Sequence, residues 1–185
     1  MSNAKKRLFF ALWPDQTTRQ ALTDLQATYL TAGGARAVSS ENLHVTLAFL
    51  HSIDIAKMDC IVQAARNVRV AAFAASFSVL SVWEQSRICW LGQNNSAAGS
   101  ESLQRLAQCL WAELASCGLS AETRRYTPHI TLAKKITALK KTASTPEIIW
   151  HARDFVLVES RTGGRQSRYE VLQRFPLIPP TVNPR

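Results

Sequence analysis

His44-Val45-Thr46-Leu47-Ala48 returns later in the chain as His129-Ile130-Thr131-Leu132-Ala133. The protein has four histidines, and two of them open this His-x-Thr-Leu-Ala string. Each copy reads as a strand, extending to Leu50 in the first case and to Lys135 in the second. Residues i and i+2 of a strand share a face, roughly 6–7 Å apart. His44 therefore projects with Thr46, and His129 with Thr131. Val45 and Leu47, like Ile130 and Leu132, turn to the opposite face and into a core. Two such strands brought together would line one cleft with two imidazoles and two hydroxyls.

That set suits phosphate chemistry. A neutral imidazole takes a proton from an attacking water or hydroxyl, and an imidazolium gives one to the leaving oxygen. The unperturbed histidine pKa near 6.5 serves either role. Threonine hydroxyls donate hydrogen bonds to non-bridging phosphate oxygens. No carboxylate accompanies either motif, so no metal site and no cofactor is expected. His51 and His151 lie outside the repeat and are expected to be structural or surface residues.

Outward from the motifs, residues 7–13 predict a first strand. Pro14 and Asp15 open a helix bearing Leu22, Leu25 and Tyr29, and Gly33-Gly34 end it. Residues 54–67 predict a helix with Ile55, Met58, Ile61, Val62 and Ala65 inward. Phe73–Trp83 and Arg87–Leu91 read as two strands of a hairpin. Residues 100–116 form a helix with a leucine stripe (Leu103, Leu106, Leu110, Leu114), closed by Gly118. Two closing strands are expected over 148–159 and 168–175, and the proline-rich tail from Pro176 is expected to trail over the surface. No glycine-rich phosphate loop follows a strand. The pattern is α+β with mostly antiparallel sheet.

The chain has 185 residues, 46% hydrophobic and 19% charged, which is globular composition. Its net charge is +9, which favours a polyanionic partner without choosing one. No apolar run is long enough to span a membrane. The basic lead-in Lys5-Lys6-Arg7 and the run Leu8–Trp13 stop too soon at Pro14 for a signal peptide. Cys60, Cys89, Cys109 and Cys117 show no CxxC or zinc spacing, so buried thiols in a reducing cytoplasm are expected.

At the repeat the chain resembles the two-histidine (2H) phosphoesterases, and more narrowly the LigT-like RNA 2′,3′-cyclic phosphodiesterases, also called 2′-5′ RNA ligases. The resemblance spans nearly the whole chain. It includes Arg7-Leu8-Phe9-Phe10-Ala11-Leu12, Asn42–Leu50, Tyr126-Thr127-Pro128 before the second motif, Val158-Glu159-Ser160, and Tyr169-Glu170-Val171-Leu172. It implies one bilobal domain over residues 1–185, with pseudo-symmetric lobes, antiparallel sheets lining a central cleft and helices outside. It also implies hydrolysis of RNA 2′,3′-cyclic phosphate ends to 2′-phosphomonoesters. His44 would be the proton donor, His129 the proton acceptor, and Thr46 and Thr131 the phosphate ligands. Lys134 stands where relatives often carry Arg, so the charge is kept but a bidentate grip is lost.

Further contacts to RNA are expected from Arg124 and Arg125 before the second motif, and from Arg161, Arg165 and Arg168 near the chain end. Tyr126, Phe9 and Trp13 are aromatics near the cleft that could stack a base, with ordinary packing as their default. The implied partner is RNA with a cyclic-phosphate end, such as a tRNA fragment or a small cyclic nucleotide, bound by a monomer without a membrane. Ligation of tRNA halves, the reverse chemistry, uses the same two histidines. A non-catalytic RNA- or nucleotide-binding module is the alternative from another class. Two titrating imidazoles speak against it, since a pure binder gains little from them.

Overall fold

The structure is a computed structural model that describes residues 4–30, 35–94, 97–123, 125–136, 139, 146–161 and 168–179. The chain runs β1 (Lys5–Leu12), α1 (Gln16–Tyr29), β2 (Arg36–Ala37), β3 (Val45–Asp54), α2 (Met58–Asn67), β4 (Phe73–Phe77), β5 (Val79–Trp83) and β6 (Ile88–Gly92). It continues through α3 (Ser100–Leu114), β7 (His129–Lys134), β8 (Ile148–Ala152), β9 (Asp154–Arg161) and β10 (Arg168–Pro176).

Eight strands form one sheet in the order β10-β9-β1-β3-β7-β6-β5, with β2 also paired to β7. Every named pair in it is antiparallel. The two halves of the sheet are the two lobes, and they join where β3 meets β7 at one paired position, Val45 opposite Ile130. The second residues of the two motifs are therefore partners. The architecture is the expected bilobal α+β arrangement.

Strand β1 shows how alternation builds both layers. Leu8, Phe10 and Leu12 enter the main core, where Phe10 lies against Phe155 and Phe175. Phe9 and Ala11 face the other way and pack with Val156 and Val158. Helix α1 starts where Asp15 accepts the Thr18 N–H at 2.8 Å. Gln26 of α1 is buried, and its Nε2 donates to the carbonyls of Val38 (2.9 Å) and Leu132 (2.7 Å). That side chain ties α1 to the backbone of the second motif. The leucine stripe of α3 is wholly buried as expected.

Several expectations are corrected. The segment 73–83 is two strands, broken at Ser78, and 148–159 is two strands, broken at Arg153. The early halves, β4 and β8, pair with each other as a separate ribbon, while β5 and β9 join the large sheet. Neither break carries Gly or Pro, so local periodicity shows no boundary; the change of sheet partner makes it. Ile55 is 42% exposed because residues 55–57 form a 3₁₀ turn, capped by Asp54, that shifts the phase before α2 begins. The tail stays docked through Ile178: the Leu177 N–H donates to the Arg153 carbonyl, and Ile178 exchanges hydrogen bonds with Val70 and Ala72.

The cysteine reading also changes. Cys60 of α2 and Cys117 of the turn after α3 form a disulfide, with Cα atoms 5.8 Å apart. Cys89 and Cys109 are free. Burial pushes the Cys89 thiol up to about 11. Gly118 has φ +69° and ends the turn after α3, as its position predicted. Gly33-Gly34 lie outside the described residues.

Gly99 precedes α3 with φ +77°, and a Cβ there would collide with the Ala74 carbonyl and stand 2.7 Å from the Ala75 Cα. Both obstacles are backbone. Gly99→Ala is expected to lower the unfolding free energy by about 2 kcal/mol, from the left-handed backbone and overpacking together. A urea midpoint unchanged from the parent would contradict this account.

Candidate active site

His44 sits one residue before β3, and His129 opens β7. The two rings are held alike. His44 Nδ1 lies 2.7 Å from the Asn42 carbonyl, and His129 Nδ1 lies 2.8 Å from the Thr127 carbonyl. A carbonyl only accepts, so each Nδ1 carries the hydrogen and donates it two residues back along the chain. Each Nε2 is thus the ring nitrogen without that hydrogen. In His44 it lies 3.1 Å from the Thr46 hydroxyl. Antiparallel register about the Val45–Ile130 pair directs Thr46 toward His129, and His44 toward Thr131. The crossing sets the two motifs side by side; Thr46 and His129 line one groove, while His44 and Thr131 stand outside its wall.

The two histidines differ in their surroundings. His44 is stacked by Trp13 (centroids 5.6 Å apart, 14° between planes) and touched by Phe9 and the edge of Tyr169. This aromatic enclosure buries the ring and pushes its pKa down to about 4; the Asn42 carbonyl opposes the shift, and the charges of His129 and Lys134 add to it. His129 is half-buried, with the Trp83 ring 4.6 Å away at a steep angle. Its cross-strand neighbour is Gly92. A Cβ on Gly92 would run into the Trp90 indole, so glycine there leaves room for that ring along the strand.

Tyr126 joins the motifs. Its hydroxyl donates to the Thr46 carbonyl at 2.9 Å, and burial holds the phenol well above its usual pKa. The group expected to meet RNA thus spends its hydroxyl on positioning the first motif, while its ring lines the groove. That groove has a volume of about 850 Å³ and is walled by Thr46, Phe49, Trp83, Gln104, Arg125 and His129 among others. Phe9 is buried and Trp13 packs against His44, so packing is the role the fold gives them.

The basic residues scatter. Arg125 is exposed and lines the groove. Lys134 is exposed at the end of β7, opposite Arg36 and Ile88. Arg161 is drawn into ion pairs with Glu170 (2.6 Å) and Glu159 (3.6 Å). Arg168 is exposed at the start of β10, opposite Arg161. Arg124 and Arg165 lie outside the described residues. Glu159, held ionised chiefly by its hydrogen bond from Lys6, takes up part of the local positive charge. The net charge is therefore only partly a feature of the cleft.

Sequence reading missed the α3 wall of the groove. Gln104, Gln108 and Trp111 recur at helical spacing beside the leucine stripe, and that spacing was the available signal. Trp83 and Gly92 had no local signal, because strand pairing alone brings them to His129. Among the described residues, no three His, Cys, Asp or Glu side chains converge on a metal position. No helix among them is long and apolar enough to cross a membrane.

The sequence and the fold resemble those of known proteins. The RNA 2′,3′-cyclic phosphodiesterase of Escherichia coli K12 is 30% identical over 174 residues, covering 93% of this chain and 97% of that one. The RNA 2′,3′-cyclic phosphodiesterase of Geobacillus stearothermophilus is 28% identical, over 76% of this chain and 47% of its own length. The crystal structure of E. coli LigT complexed with 3′-AMP superposes with a TM-score of 0.82 at 27% identity, covering 94% of this chain and 99% of that one. A phosphoesterase crystal structure superposes at 0.84 with 27% identity, covering 95% of this chain and 99% of the other. The family model of the 2′-5′ RNA ligase superfamily matches residues 13–163, a span that takes in both histidine strands and the join between them. By that match, and by the E. coli relative alike over nearly its whole length, the chain belongs to the 2′-5′ RNA ligase superfamily.

Proposed function

We propose that the protein hydrolyses RNA 2′,3′-cyclic phosphate ends to 2′-phosphomonoesters by two-histidine acid–base catalysis. The observation that supports this reading is the pairing of Val45 with Ile130, which sets the two His-x-Thr strands side by side, each imidazole anchored through its Nδ1. The cyclic phosphate lies between them. His129 Nε2 takes a proton from water, the oxygen attacks phosphorus, and the bond to the 3′ oxygen breaks. His44 Nε2 gives that oxygen its proton. Thr46 and Thr131 donate to the non-bridging oxygens as charge shifts onto them. Both motifs come from one chain, so a monomer suffices, and an RNA substrate is met in the cytoplasm.

The donor role places a demand on His44. Its ring is neutral above pH about 4. The phosphate's negative charge beside it favours the imidazolium and supplies the proton-bearing form in the complex. The kcat/KM profile reports the free protein, where one imidazole must be charged and the other neutral. Its acid limb is therefore expected near pH 4, where His44 titrates. An acid limb centred near pH 6.5 would show that burial does not set the His44 pKa.

The direct test is incubation of an oligonucleotide ending in a 2′,3′-cyclic phosphate, with EDTA present. A 2′-phosphate end is the expected product. No product, or product only after a divalent ion is added, rules the reading out.

A further inference from the structure

The groove continues well past His129. From Thr46 and His129 it follows the face of α3 that carries Gln104, Gln108 and Trp111. An alcove of about 200 Å³ branches from it and shares Gln104, Arg125, Tyr126 and Thr127. A water nucleophile needs little of this room; the total suits an organic ligand.

The lining has a chemical bias. Trp83 is 38% exposed, an unusual placement for so large an apolar ring, and it stands between His129 and Trp90. Among the described residues, Trp90 Nε1 and Gln93 Oε1, of two side chains that line the alcove, are buried with no hydrogen-bond partner. The orientation of Gln93 is secure, because its Nε2 donates to the carbonyls of Ser76 (3.1 Å) and Ala98 (3.4 Å), which cannot donate back. A ligand seated in the alcove therefore lies beside two residues that hold one unpaired N–H and one unpaired oxygen. A nucleobase offers the complement on its polar edge, and a π face for Trp83. Arg125, exposed where groove and alcove meet, adds a cation for a backbone phosphate.

We propose that groove and alcove form a nucleoside subsite for the nucleotide preceding the cyclic-phosphate end. Its base stacks on Trp83 and turns its polar edge toward Trp90 and Gln93, and its phosphate lies against Arg125. The protein then acts on the end of a strand in preference to a mononucleotide. This inference rests on the function proposed above and locates the next unit of that substrate.

The test compares a nucleoside 2′,3′-cyclic phosphate with a dinucleotide bearing the same end. In the parent, kcat/KM is expected to favour the dinucleotide by about tenfold, the scale of one base stacked on an aromatic ring. Trp83→Leu should bring that ratio toward one, Trp83→Phe should keep most of it, and Gln104→Ala should lower it in part. A ratio unchanged in Trp83→Leu, with both substrates slowed alike, would overturn the subsite and leave Trp83 as packing for His129. Calorimetric titration with nucleoside 2′-phosphate and dinucleotide 2′-phosphate separates the two readings without turnover. Extra affinity for the dinucleotide that depends on Trp83 supports the subsite even if the parent hydrolyses neither substrate. Equal affinity for both ligands overturns it even if hydrolysis is seen.

Discussion

His129→Ala should lower kcat by about 10²–10⁴-fold, and His44→Ala by a similar factor. The two rings act on one phosphorus, so the double variant should be little slower than the worse single one. The fold should survive His129→Ala, since that ring is half-buried and its Nδ1 hydrogen bond is local, to Thr127. His44→Ala opens a space among Trp13, Phe9 and Tyr169, so His44→Gln is the companion variant that fills it. Single-turnover rates on the cyclic-phosphate oligonucleotide, with thermal midpoints alongside, decide the matter. A single variant that keeps more than a tenth of the parent rate would remove that histidine from the proton transfers.

Reducing the Cys60–Cys117 bond should lower stability by about 4 kcal/mol. The linked residues are 57 apart in sequence, and a loop of that length carries a large closure entropy in the unfolded chain. The bond joins α2 to the turn that ends α3, and α3 walls the groove. Urea unfolding with and without dithiothreitol, repeated with Cys60→Ala, measures the effect. Midpoints that coincide would mean that the two thiols are not linked in solution. In a reducing compartment the pair would be held open by glutathione and thioredoxin, and the margin would fall accordingly. Cys60 and Cys117 read as unrelated thiols in the sequence because disulfide partners are set by the approach of distant backbones, which no local pattern records.

Much of the cleft was legible before any fold. Two copies of His-x-Thr are a local pattern, and strand alternation alone puts each histidine beside its threonine. The buried stripe of α3 and the Asp15 cap of α1 were equally local. The breaks at Ser78 and Arg153 were not, because each marks a change of sheet partner inside an apolar run. Tyr126 illustrates the same limit. Its sequence position suggested a surface facing RNA, yet its hydroxyl crosses to the Thr46 carbonyl.

From the sequence alone came the identity of the reacting groups and their pairing within each strand, since both follow from residue type and a period of two. Their relation to each other did not. The register at Val45–Ile130 decides that Thr46 faces His129, and long-range packing decides that His44 is enclosed by aromatics while His129 opens onto a groove. Two identical strings therefore become unlike sites: hydrogen bonds two residues away are written in the chain, whereas burial and the neighbouring ring are written only where distant segments meet.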